Sequence, residues 1–201
     1  MHTRAGKQLW LMWVVTTGIG SLVGYYVGAL ALSFFLWPDM PPLVGWPILE
    51  LIVGAAAGAT LGTLQWLILR PRVKGQRWIL VTALGAAVAL TASTPLNAAS
   101  TPILYGVLLG VSLGIFQGLV VSHQRVLSLL WLLVSIIAWT IGASVLCNCA
   151  LSRFVFEQTI PYEVLVIITG VIAGSITGGA VVWLVHRSRR TVFPASKERA
   201  V

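Results

Sequence analysis

Three polar side chains share helical faces with runs of glycine: Glu50, Gln65 and Gln117. Glu50 stands four residues before Gly54, Gln65 three after Gly62, and Gln117 three after Gly114. On an α-helix those offsets keep each side chain on the glycine side. Within an apolar helix a carboxylate such as Glu50 can bind a cation or a substrate amine, or relay protons. An acid in a first helical turn also has a plainer role, complementing the helix dipole. Gln65 and Gln117 can line a polar pocket or hydrogen-bond between helices. The spacing therefore defines one candidate polar pocket, made of Glu50, Gln65 and Gln117.

No other constellation in the sequence points to chemistry. His2, His123 and His186 are far apart, and no pair has metal-ligand spacing on one helix. Cys147 and Cys149 flank a single residue, a separation that rarely closes a relaxed disulfide. They could take a soft metal or cross-link to a partner, or be two small residues at a helix end. The Ser and Thr residues have no histidine base paired with them in a recognisable pattern. The expectation is a non-enzymatic protein without a catalytic, cofactor or metal site.

The elements that position the three polar residues are read from the glycines. Gly54, Gly58 and Gly62 stand four apart, as do Gly106, Gly110 and Gly114, and again Gly170, Gly174 and Gly178. Each set lies along one side of a helix and removes the side chains that would hold a neighbouring backbone away. Each of these helices is expected to open at a proline: Pro47, Pro102 and Pro161. In the third set Val181 takes the position, seven after Gly174, that the glutamines hold in the other two.

The chain has 201 residues, 58% hydrophobic and 9% charged, with a mean hydropathy of +0.93. Soluble domains carry roughly 25% charged residues. So little charge cannot cover a surface facing water, and the reading is a polytopic membrane protein. The fold class expected is all-α: six transmembrane helices in one domain over residues 1–186, then a basic cytoplasmic tail over 187–201. The spans fall at about Leu9–Trp37, Pro47–Leu69, Trp78–Ser93, Pro102–Val121, Leu127–Leu146 and Tyr162–His186. Ala29-Leu30-Ala31 resembles a signal-peptidase site, but the apolar run is longer than a signal core and continues past it, so the first helix is read as retained. Pro38 to Pro42 reads as an extended link, and Cys147 to Pro161 as a longer segment in the interface.

Charge gives the orientation. With six spans, twelve of the thirteen Lys and Arg residues fall on the side of both termini, and Arg153 alone falls on the other. Asp39, Glu50, Glu157 and Glu163 lie on or near that second side. The positive-inside rule then places both termini in the cytoplasm. The net charge of +8 follows from the same bias, and anionic lipid headgroups rather than nucleic acid are its expected partners. A membrane-protein partner or a second copy is the other expected contact. Trp10, Trp13, Trp66, Trp78, Trp131 and Trp183 on one side, with Trp37 and Trp46 on the other, read as aromatic belts, and Trp139 as a deeper packing residue.

Helices three and five begin near Trp78 and Trp131, each shortly after an arginine, and helix one begins similarly with Lys7, Gln8 and Trp10. This predicts a ring of three hairpins, the third made of helices six and one and split by the chain ends. The segments GAAAGATLGTLQWLILR and GVSLGIFQGLVVSHQR, each followed by a polar turn and a Trp-led helix, resemble a group of uncharacterised bacterial multi-pass membrane proteins with tandem Gly-rich, Gln-Trp hairpins. The likeness covers roughly residues 54–142 and implies architecture, not activity. Two functions fit: a structural, assembly or accessory subunit of a membrane complex, or a small-solute transporter or its membrane substrate-binding component.

Overall fold

A computed structural model describes residues 2–35, 42–70, 75–95, 101–121, 125–156 and 161–192. Six helices account for nearly all of them: α1 (His2–Phe35), α2 (Pro42–Leu69), α3 (Gly75–Ser93), α4 (Pro102–Val121), α5 (Arg125–Phe156) and α6 (Tyr162–Val192). No strand occurs among the described residues. All six helices are long and apolar enough to cross a membrane. Such segments become helices because hydrocarbon offers no partner to the backbone, and only an α-helix satisfies every N–H and C=O within itself.

The main packing contacts run α1–α2–α3–α4–α5–α6 and back to α1, so the helices form a closed ring. The two end helices are antiparallel: Gly6 lies against His186 near the chain termini, and the ring of Tyr25 meets that of Tyr162 toward the other end. Below, the end that holds the start of α1 and the finish of α6 is the terminal end, and its opposite the distal end. The outside of the ring is apolar on every helix, with Leu11, Leu51, Leu80, Leu119, Leu129 and Trp183 among its exposed residues.

Several boundaries differ from the sequence reading. Helix α2 begins at Pro42, and Pro47 lies inside it. Pro42 fits a first turn, where its missing N–H has no helical partner to lose. Pro47 follows so closely that only the opening turn loses a bond. The predicted interfacial segment after Leu146 instead continues α5 to Phe156, because Cys147–Phe156 contains neither Pro nor Gly to stop it. Helix α6 likewise runs on to Val192, into the predicted tail. Trp37, Pro38 to Pro41, Asp39, Glu157 and residues 193–201 lie outside the described residues, as do the side chains of His2, His123, Cys147, Cys149 and Arg153.

The glycines decide how near the helices come. A Cβ built at Gly54 would lie 2.7 Å from the Ala86 carbonyl oxygen, and one at Gly58 2.6 Å from that of Thr82, both on α3. At Gly106 it would meet the Trp139 oxygen at 2.7 Å, and at Gly110 the Ile136 Cα at 2.6 Å, both on α5. At Gly170 it would meet the Ser21 side chain at 2.5 Å and the Thr17 oxygen at 2.9 Å, both on α1. Gly62, Gly114 and Gly174 stand one turn further along the same three seams, against Thr82, Leu132 and Thr17, and Gly178 meets Trp13 and Trp10. At Gly54, Gly58, Gly106 and Gly110 the contacts include backbone atoms within 2.8 Å, which cannot swing aside as a side-chain tip can. We expect Gly110→Ala to lower unfolding free energy in mixed micelles by about 1–3 kcal/mol through overpacking. Gly179, with nothing within 4 Å of its built Cβ, should accept alanine with no loss or a gain of up to ~1 kcal/mol.

Candidate functional site

The axis of the ring is built in layers, and the inward faces of the odd-numbered helices set them. Trp13, Trp78 and Trp131 each precede by four residues a buried hydroxyl: Thr17, Thr82 and Ser135. Four residues advance a helix by about 6 Å on nearly the same face. All six side chains are at most 2% exposed. The indoles meet edge to face, with ring centroids 6.1 Å apart for Trp13–Trp78 and 6.3 Å for Trp78–Trp131. Leu69 and Val181 complete this plug near the terminal end. These three tryptophans are therefore core residues and not part of an aromatic belt. Trp10, Trp46 and Trp183 are the ones that face outward, and Trp139 is buried.

The hydroxyl layer comes next. Gln65 donates from Nε2 to Thr17 Oγ1 at 3.3 Å, joining α2 to α1. Gln117 donates to Thr82 Oγ1 at 3.1 Å, joining α4 to α3. Both glutamines are about 95% buried. Trp13 Nε1 donates to Thr177 Oγ1 at 3.0 Å, joining α1 to α6.

The seams also correct the register of the third glycine set. The carbonyl of Thr82 lies against Gly58, that of Ser135 against Gly110, and that of Thr17 against Gly170. Gly174 then corresponds to Gly62 and Gly114, and Thr177, three residues on, stands where Gln65 and Gln117 stand. Val181 is one turn too far along. A threonine is shorter than a glutamine, and the hydroxyl of Ser135, which by this register it would have to serve, has no hydrogen-bond partner among the described residues.

Beyond the hydroxyls the axis opens into a chamber of about 390 Å³ to which all six helices contribute. One turn past the hydroxyl layer its wall holds Ser21, Ala86 and Trp139, and a further turn on Tyr25, Leu90 and Ala143. Leu61, Leu109 and Leu113 line it from α2 and α4, and Gly24, Gly28, Tyr105 and Tyr162 complete much of the rest. The wall hydroxyls of Ser21 and Thr169 are already engaged, donating to the carbonyls of Thr17 at 2.8 Å and Gly142 at 3.2 Å. Among the described residues the wall carries no charged side chain.

The three residues of the predicted polar pocket do not converge on this space, and none of them lines it. Gln65 and Gln117 sit together in the hydroxyl layer below the chamber. Glu50 lies near the distal end, where the Thr94 hydroxyl donates to its carboxylate and ties α2 to the end of α3. Among the described residues no group of three or more His, Cys, Asp or Glu could hold a metal. Of the chamber's lining, the sequence reading named only Gly58, Gly106 and Trp139, as packing residues, although one further signal was present: Gly20, Gly24 and Gly28 form a four-residue ladder on α1, against Leu61, Ala57 and Val53 of α2. The Trp-to-hydroxyl spacing of four, repeated on three helices, was the other.

No family model, curated protein or solved structure matches the chain.

The hydroxyl layer predicts opposite outcomes for two similar substitutions. Thr82→Ala removes the acceptor used by Gln117 and should cost about 0.6–1.7 kcal/mol of unfolding free energy, the range of interhelical hydrogen bonds in membranes. Ser135→Ala removes a buried hydroxyl with no partner among the described residues, and should be neutral or stabilising by up to ~1 kcal/mol. Denaturant titration of the two variants in mixed micelles reads the difference directly.

Proposed function

We propose that the chain is a non-enzymatic integral membrane protein of the bacterial cytoplasmic membrane, acting as a structural or accessory component of a membrane complex. The observation that carries this reading is the use made of the buried polar groups. Gln65, Gln117 and Trp13 each bond a hydroxyl on a neighbouring helix, so the polarity of the core ties the ring together. The apolar exterior of the ring is available to lipid and to a membrane partner. Three hairpins, α2–α3, α4–α5 and α6–α1, are read as copies of one unit, with the third split by the chain ends. Their shared seam register supports this. The distribution of Lys and Arg supports a cytoplasmic terminal end.

The alternative, a small-solute transporter, draws on the chamber. Its wall favours an apolar ligand over an ion, since transport sites for charged solutes are built from intramembrane polar groups and broken helices. The tryptophan plug also fills the axis on the terminal side.

Purification in mild detergent followed by native mass spectrometry tests the first reading. A stoichiometric protein partner is expected, and a lone monomer in every detergent tried would remove it. For orientation, a green-fluorescent-protein fusion at Val201 should fluoresce and an alkaline-phosphatase fusion there should be inactive. The reverse pair of results would invert the topology.

A further inference from the structure

The chamber has a shape and chemistry that select an occupant. Along α1 its lining runs from Ser21 to Leu32, about 16 Å at the helical rise. Along α4 it runs from Tyr105 to Leu113, about 12 Å. A volume of about 390 Å³ spread over that depth is a slot, longer than it is wide. The slot is closed toward the terminal end by the hydroxyl layer and the tryptophan plug. Toward the distal end it reaches the phenol rings of Tyr25 and Tyr162, which meet at a tilt with centroids 5.3 Å apart.

A polar solute would leave its water in such a slot and gain little, because the Ser21 and Thr169 hydroxyls already donate to backbone carbonyls. Water fares no better, since apolar cavities stay dry. An unfilled slot forfeits dispersion contacts along its whole wall. Hydrocarbon satisfies all three constraints, and in a membrane the abundant hydrocarbon is the lipid acyl chain. We propose that the axial chamber binds one acyl chain of a membrane phospholipid from the distal leaflet, with its headgroup at the level of Tyr25, Tyr105 and Tyr162. Tyrosine suits that level, having an apolar ring and a polar tip. A free fatty acid fits less well. It would bring a carboxylate to a wall that holds no cation among the described residues, whereas phosphatidylethanolamine carries its own ammonium beside its phosphate. The proposal goes beyond the accessory role and stands whether or not a protein partner is found.

Photo-labelling tests it. The full chain is reconstituted in phosphatidylethanolamine–phosphatidylglycerol vesicles doped with a phosphatidylethanolamine carrying a mid-chain diazirine. A parallel sample carries the same diazirine on a free fatty acid. After irradiation, peptide mapping should find phospholipid label on Leu109, Leu113 or Ala143, which are at most 9% exposed and line the slot. Val166→Phe, which adds bulk to the slot from α6, and Ala29→Phe, which adds it at the mouth on α1, should each reduce that label several-fold. Label on outward-facing Leu129 and Leu133 should not change. Phospholipid label confined to outward residues of the unsubstituted protein would overturn the proposal, and that pattern decides even if both variants misfold. So would internal label from the fatty acid alone, or internal label that neither phenylalanine reduces in a folded variant.

Discussion

Where Gly110 passes α5, a methyl group in place of one hydrogen would lie 2.6 Å from the Ile136 Cα. Backbone contacts as short recur between α2 and α3, and between α6 and α1 the Thr17 oxygen comes within 2.9 Å of a Cβ built at Gly170. Between helices bathed in lipid there is little hydrophobic gain from association, so van der Waals fit and a few hydrogen bonds must hold the ring together. The rest of the structure depends on this close approach. The glutamine bonds then tie one tight pair to the next, Gln65 on α2 to Thr17 on α1 and Gln117 on α4 to Thr82 on α3.

Close seams around a ring of six helices leave the axis to be filled by side chains, and the sequence fills it unevenly. Toward the terminal end three indoles occupy it. Four residues further along each odd helix the side chains shrink to Thr17, Thr82 and Ser135. Beyond them Ala86, Ala143, Gly24 and Gly28 are too small to reach the centre, and the chamber results. Plug and chamber are thus two consequences of one change in side-chain size along the axis. An apolar, one-ended space of this kind suits the holding of hydrocarbon better than the passage of ions. It also fits a protein whose buried polar groups serve cohesion.

The six helices were legible because each is an apolar run bounded by Pro, Gly or charge, and α4 was read to the residue. Boundaries failed where punctuation misled: Pro47 lies in a helix that Pro42 had already opened, and nothing after Leu146 stops α5. Glu50, Gln65 and Gln117 were visible as unusual polar residues on apolar helices, but a linear pattern assigns a side chain to a face and not to a depth. Glu50 thus fell at the distal end, while Gln65 and Gln117 were each buried against a threonine of a neighbouring helix. The tryptophans failed for a related reason. An indole two turns inside a helix can point to lipid or to the axis, and the sequence places both at the same height.

The amino-acid sequence by itself determined the class, the spans, the charge asymmetry and the glycine faces, because these follow from local composition and helical periodicity. Spacing had also predicted that α6 pairs with α1, as the packing shows; only the tertiary structure decided the register at which each seam meets. It alone fixed the third set one turn from its apparent alignment, with Thr177 and not Val181 opposite the glutamines. These depend on the axial offset between packed helices. That offset is set by how backbones nest at each glycine, and periodicity within a single helix carries no record of it.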